Sequence, residues 1–219
     1  MYEFRSSIKA IQQLTPGKIV CVGRNYAEHA KELGNDVPSQ PVLFMKPKSA
    51  LCDWASGFSV PNGRGECHHE LELAVVITKP LKNASSSECQ QAIGGMALAL
   101  DLTLRQVQSE LKQRGLPWEL AKAFDGACPV SEWIQPVSDW SSLSLELSVN
   151  QQVRQSGNTS QMIWPTLELL STISQYFTLE PGDIVLTGTP AGVAPLVEGD
   201  RVVGQLGQLL TVTGVVSRD

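Results

Sequence analysis

The chain has 219 residues, 42% of them hydrophobic, which suffices for one sizeable core, and its 17 Lys+Arg against 22 Asp+Glu leave a net charge of −5. That balance excludes the basic stripe with which proteins neutralise a phosphate backbone, so nucleic acid is not an expected partner. No apolar run approaches the roughly 20 residues of a membrane-spanning helix, and the start Met-Tyr-Glu-Phe-Arg has neither the basic start nor the apolar stretch of a signal peptide, so a cytoplasmic protein without membrane partners is expected.

In chain order, Lys18 to Gly23, Pro41 to Lys46, Leu71 to Ile77 and Met96 to Asp101 read as strands bounded by Gly, Pro or polar residues. A helix starts near Thr103, where Leu104, Val107 and Leu111 form an apolar stripe, and it ends at Gly115 with Pro117 beyond. Leu143 to Val153 alternates apolar and polar around Asn150-Gln151, as a hairpin does. A second helix covers Trp164 to Phe177. Pro181-Gly182-Asp183 and Glu198-Gly199-Asp200 read as two turns of one type, each leading into a strand. Cys21, Cys52, Cys67, Cys89 and Cys128 are odd in number and scattered, so they read as reduced, mostly buried thiols.

Three acids stand out. In His68-His69-Glu70-Leu71-Glu72-Leu73 the alternation puts Glu70 and Glu72 on one face of a strand that then becomes continuously apolar. Two carboxylates at the mouth of such a strand repel each other unless a cation neutralises them. Asp101 ends another very apolar run, where an unpaired charge is expensive. An all-oxygen set of this kind suits Mg²⁺, or Mn²⁺, better than Zn²⁺. The spacing alone also fits a solvated edge strand with Asp101 capping the next helix. His68 shares the face of the glutamates, which leaves open a Zn²⁺ site or a hydrogen bond to a ligand.

Other groups are equally two-sided at this level. His29 and Glu32, three apart, meet on one helical face, either as a surface contact or as an imidazole oriented by a carboxylate for proton transfer. Lys122, between Ala121 and Ala123, is either a snorkelling surface group or a buried cation. Arg105 and Gln108 form a polar helical face beside the apolar stripe, turned either to solvent or to a ligand.

Val22-Gly23-Arg24-Asn25-Tyr26, Phe44-Met45-Lys46-Pro47, His69-Glu70-Leu71-Glu72-Leu73, Asp101-Leu102-Thr103, Gly115-Leu116-Pro117-Trp118, Ala121-Lys122-Ala123-Phe124-Asp125 and Leu186-Thr187-Gly188-Thr189-Pro190 together resemble the fumarylacetoacetate hydrolase family, in order and spacing. The likeness is to its short, single-domain members and runs from about Lys18 to the C-terminus. It implies an α+β, β-rich fold, a mixed β-sandwich roll with a few helices. Residues 18–219 then form a single catalytic domain, with 1–17 as an extension packed on it. It also implies a homodimer, Glu70, Glu72 and Asp101 as ligands of Mg²⁺ (Mn²⁺ possible), His29 and Glu32 as a dyad on a lid helix, and Lys122 as a catalytic lysine. Arg105 and Gln108 are expected to reach the substrate, with Thr189 and the Gly188 backbone holding its carboxylate from the opposite wall; Arg24 and Lys46 are further substrate-binding candidates.

The chemistry so implied acts on small 2-oxo acids through a metal-stabilised pyruvate enolate. Hydrolysis of the carbon–carbon bond of acylpyruvates is the first expectation. Decarboxylation or keto–enol tautomerisation of oxaloacetate, or another isomerisation, is the alternative on the same site. A non-catalytic metal-binding module is the alternative of another class.

Overall fold

The computed structural model describes residues 2–34 and 36–218. Its centre is a seven-stranded sheet in the spatial order Val42–Lys46, Ile19–Gly23, Ile184–Leu186, Leu71–Ile77, Ile93–Leu100, Cys128–Val130 and Leu51–Asp53. Parallel pairing of Ile19–Gly23 with Ile184–Leu186, and of Leu51–Asp53 with Cys128–Val130, makes the sheet mixed. A five-stranded sheet runs Gln152–Asn158, Ser144–Val149, Arg201–Leu206, Leu210–Arg218 and Phe58–Val60, and a three-stranded one runs Ala194–Leu196, Cys67–His69 and Thr103–Leu104. The β-rich α+β roll expected from the sequence is the fold observed.

The continuous apolar run Leu73–Ile77 within strand Leu71–Ile77 follows from burial on both faces. Leu71, Leu73, Val75 and Ile77 pack in one cluster with Leu145, Leu147, Val202 and Leu206 of the five-stranded sheet. Ala74 and Val76 face the other way, into a cluster with Phe4, Ile11 and Trp133. Residues ahead of Lys18 thus supply core side chains, and they are tied on by Trp133 N–H donating to Arg5 C=O at 2.8 Å and Gly17 N–H to Gly182 C=O at 3.0 Å. Burying a side chain such as Ile11 contributes roughly 1.5–3 kcal/mol.

Local sequence signals are realised with small shifts. Asn150 and Gln151 both adopt positive φ, 51° and 69°, as the tight hairpin turn requires. The two similar turns are one motif: Asp183 Oδ2 accepts from Glu180 N–H and Asp200 Oδ2 from Val197 N–H, each at 2.8 Å, with Gly182 and Gly199 at φ 95° and 88°. The helices run Arg105–Gln113 and Thr166–Tyr176. The first begins later than expected because Thr103 and Leu104 pair with His68 and Cys67 as a strand. The five cysteines are free, four of them buried. Among the described residues no helix is long and apolar enough to cross a membrane.

Candidate active site

Three neighbouring strands of the large sheet, Ile184–Leu186, Leu71–Ile77 and Ile93–Leu100, connect through the chain to Ala194–Leu196, Cys67–His69 and Thr103–Leu104, which lie in the same order in the small sheet. The crossings fall at Thr187–Pro190, Glu70 and Asp101–Leu102. Regular pairing is interrupted there, and single bonds bridge the gap: Asp101 N–H to Glu70 C=O at 2.8 Å, and Thr187 N–H to Leu73 C=O at 3.1 Å. Glu72 lies opposite Ala99, so it shares a sheet face with Asp101. Glu70, Glu72 and Asp101 are all buried, and a carboxylate oxygen from each lies within 4.8 Å of the others.

Cations surround two of these acids but not the third. Lys122 Nζ donates to Glu70 Oε2 at 2.7 Å and to Asp101 Oδ2 at 2.5 Å, and Arg105 Nη2 donates to Glu70 Oε1 at 2.6 Å. Burial pushes the Glu70 pKa up, but Lys122 and Arg105 outweigh it and hold the carboxyl well below its ordinary range. Burial likewise disfavours the Lys122 ammonium, yet Asp101 and Glu70 raise its pKa overall. Among the described residues Glu72 has only the Gly188 N–H, at 2.5 Å. Burial, then Asp101 and Glu70, push its pKa well above the usual value. Asp101 Oδ1 is buried and, among the described residues, accepts no well-aligned hydrogen bond, although Lys46 Nζ stands 2.8 Å away. Three clustered, buried carboxylates, one of them without a cation beside it among the described residues, fit a hard divalent ion such as Mg²⁺ or Mn²⁺.

The dyad is held from below. Strand Ile19–Gly23 ends at Arg24, whose φ of 62° is unusual for a side-chain-bearing residue. The buried Asn25 donates from Nδ2 to Thr187 C=O at 2.8 Å and Trp164 C=O at 3.0 Å, and its Oδ1 accepts from Trp164 N–H at 2.7 Å. On the following helix, Ala27–Glu32, His29 is buried with Nδ1 3.2 Å from Glu32 Oε2. Glu32 Oε1 accepts from Gly192 N–H at 2.9 Å, which pins the helix end to the loop beyond Pro190. The carboxylate beside Nδ1 orients the ring and turns its other nitrogen away from Glu32.

A narrow cleft brings together Arg24, His29, Glu70, Glu72, Asp101, Arg105, Gln108, Lys122 and Thr189. Two expected substrate contacts stand elsewhere. Lys46 lies beneath Asp101, with Nζ 2.8 Å from Oδ1 but off the line of a hydrogen bond. Its protons go to the carbonyls of Leu102, Lys122 and Ala127, so it is a buried structural cation. The Gly188 N–H is occupied by Glu72 and does not face a substrate carboxylate. Thr189 Oγ1 lines the cleft while accepting from Gln155 Nε2 at 2.7 Å. His68 lies outside the cluster of acids, its Nε2 3.2 Å from Glu66 Oε2, which corrects the Zn²⁺ alternative.

The structure also adds residues that the sequence pass did not single out. Lys112 lines the cleft; its spacing of seven from Arg105 and four from Gln108 was the available signal. Gln155 is buried and cross-links the small sheet. Its Oε1 accepts from Leu71 N–H and stands 2.9 Å from His69 Nδ1, while Nε2 reaches Thr189 and Pro190.

The family described as fumarylacetoacetate (FAA) hydrolase C-terminal matches residues 18–217. The chain is 47% identical over 205 residues to the oxaloacetate tautomerase of Escherichia coli (strain K12), covering 92% of this chain and 94% of that protein. It is 44% identical over 191 residues to the mitochondrial oxaloacetate decarboxylase of Dictyostelium discoideum, covering 86% and 88%. The structure of fumarylpyruvate hydrolase from Pseudomonas aeruginosa in complex with Mn²⁺ and pyruvate superposes with a TM-score of 0.92 at 31% identity, covering 100% of this chain and 97% of that one. The chain is therefore a member of the fumarylacetoacetate hydrolase family.

Proposed function

We propose that the protein is a divalent-metal-dependent enzyme that interconverts the keto and enol forms of oxaloacetate. The observation that carries this reading is the position of His29. Its imidazole lines the cleft, is buried, oriented by Glu32 and placed beside three acids suited to a hard cation. Keto–enol exchange needs a proton taken from C3 and returned to oxygen, which is the work of a single positioned base. The E. coli relative, at 47% identity, is an oxaloacetate tautomerase, and this supports oxaloacetate as the substrate. The expectation that put acylpyruvate hydrolysis first gives way to its alternative on that ground.

Glu70, Glu72 and Asp101 would hold the ion, with Mg²⁺ preferred and Mn²⁺ able to replace it. When bound, the ion supplies Lewis-acid polarisation of the 2-oxo group. His29 removes the C3 proton, Glu32 holds the imidazole in its basic tautomer and stabilises the imidazolium that forms, and Lys122 offers a fixed positive charge where the oxygen becomes negative. The lid helix, fastened at Asn25 and Gly192, keeps bulk water from the transferred proton. A homodimer remains the assembly proposed.

The second reading is hydrolysis of acylpyruvates. It is favoured by the likeness to the Pseudomonas fumarylpyruvate hydrolase and by the same dyad, which can activate water. One experiment separates the two. Tautomer exchange, CO₂ release from oxaloacetate and cleavage of acetylpyruvate are measured on one Mg²⁺-loaded preparation. Tautomer exchange should be fastest by orders of magnitude; if it runs no faster than in buffer, the proposal fails.

A further inference from the structure

We infer that Lys112, with Arg24, forms a subsite for a second carboxylate at the far end of the 2-oxo acid, and so determines selectivity for dicarboxylic substrates. The inference deepens the reading above and rests on it for the position of the chelating end. Of the four cations lining the cleft, Lys122 and Arg105 are engaged by Glu70 and Asp101. The side chains of Arg24 and Lys112 have no carboxylate partner and no hydrogen bond among the described residues. Lys112 instead rests on an aromatic wall, its Nζ 5.5 Å from the Trp118 ring centroid, and Trp118 in turn packs against Phe44 at 5.8 Å.

This wall fixes the ammonium at the cleft rather than letting it extend into solvent, since a cation over an indole face is held there by the ring quadrupole. Burial, followed by the like charges of Arg24 and Arg105, lowers the Lys112 pKa against the opposing pull of Glu70, so repulsion within the cluster outweighs its relief. An anion placed between Arg24 and Lys112 relieves it; a neutral acyl tail does not. With one end of the substrate directed at the acids, these two residues remain for the other end. Two unpartnered cations and a nearby aromatic shelf describe a receptor for a carboxylate.

Oxaloacetate and pyruvate differ by that carboxylate alone, so their binding to Mn²⁺-loaded protein isolates the subsite. Dissociation constants are read by rapid mixing, before decarboxylation accumulates pyruvate, for wild type, Lys112→Met and Lys112→Arg. Wild type should prefer oxaloacetate by about tenfold or more, the reach of a charge-assisted hydrogen bond. Lys112→Met should remove most of that preference while leaving the pyruvate constant unchanged, and Lys112→Arg should keep it. A wild type without preference, a Lys112→Met variant that retains it, or equal weakening of both ligands overturns the inference. Because binding is read without turnover, a protein that shows the preference but fails to exchange tautomers refutes the proposed reaction and not this subsite.

Discussion

Gly188 and Glu72 are joined by a 2.5 Å hydrogen bond from the glycine N–H to a carboxylate that has no cation partner. The same glycine has a φ of 95°, and a Cβ added to it would stand 2.6 Å from the Cβ of Asn25. The residue therefore serves the acid cluster on one side and lets the Asn25 turn, at the base of the Ala27–Glu32 helix, close down on the other. Gly188→Ala should destabilise the fold by about 1–3 kcal/mol through backbone strain. It should also weaken metal binding, because either the Glu72 bond or the Asn25 contact must shift. Thermal melts and Mn²⁺ titration check this; a variant with wild-type values in both removes the assigned double role.

Asp101 is the shared partner of Lys122 and, at its other oxygen, of Lys46. Asp101→Asn should therefore do two things. It should cost the metal-free protein on the order of 3–5 kcal/mol by leaving buried ammonium groups short of charge, offset in part by relief of repulsion with Glu72. It should also lower metal affinity. Glu70→Gln should weaken the metal similarly, chelation of wild type should abolish turnover, and added Mg²⁺ or Mn²⁺ should restore it. Full activity in excess chelator rules out the metal-dependent reading.

Much of this site was legible as residue chemistry before its geometry was known. Glu-x-Glu on a strand that turns apolar announces two acids on one face, and an Asp closing the Met96–Leu100 run announces a third. What the pattern could not show is the crossing of three strands between two sheets, since sheet order depends on long-range pairing rather than local period. Lys46 was expected among the substrate contacts; only packing reveals that three carbonyls surround its Nζ. The helix Ser86–Ala92 was not read from the sequence, although Ser85 and Glu88 form a reciprocal capping box there, a signal visible in the residues themselves. Trp118 beneath Lys112 is a tertiary contact with no local trace.

The raised Glu72 pKa gives metal binding a proton dependence. A carboxyl whose folded pKa exceeds its unfolded value binds more protons when folded, so the metal-free protein loses stability as pH rises through that folded pKa. An ion displaces the same proton, so its apparent affinity rises over the same window. The gain in Tm on adding Mg²⁺ should accordingly widen with increasing pH. Calorimetric titration in buffers of different ionisation heat should show protons released as the ion binds, with the release falling as pH rises. Release of none would mean that Glu72 is already ionised and the repulsion relieved in another way.

His29 and Glu32 separate binding from chemistry, because neither belongs to the acid cluster. His29→Ala should bind Mn²⁺ as wild type does and lower kcat for tautomer exchange by about 10²-fold or more, the usual contribution of a positioned base. Glu32→Gln removes the charge that stabilises the imidazolium but can still accept from Gly192 N–H through its amide oxygen. It should therefore reduce exchange less than His29→Ala, with little change in KM. Loss of CO₂ from oxaloacetate needs neither C3 proton removal nor an attacking water, so it should survive both substitutions far better than exchange does. If decarboxylation and exchange fall together in His29→Ala with metal affinity intact, the imidazole acts on a step common to both, such as holding the substrate. The base assignment would then pass from His29 to another group lining the cleft.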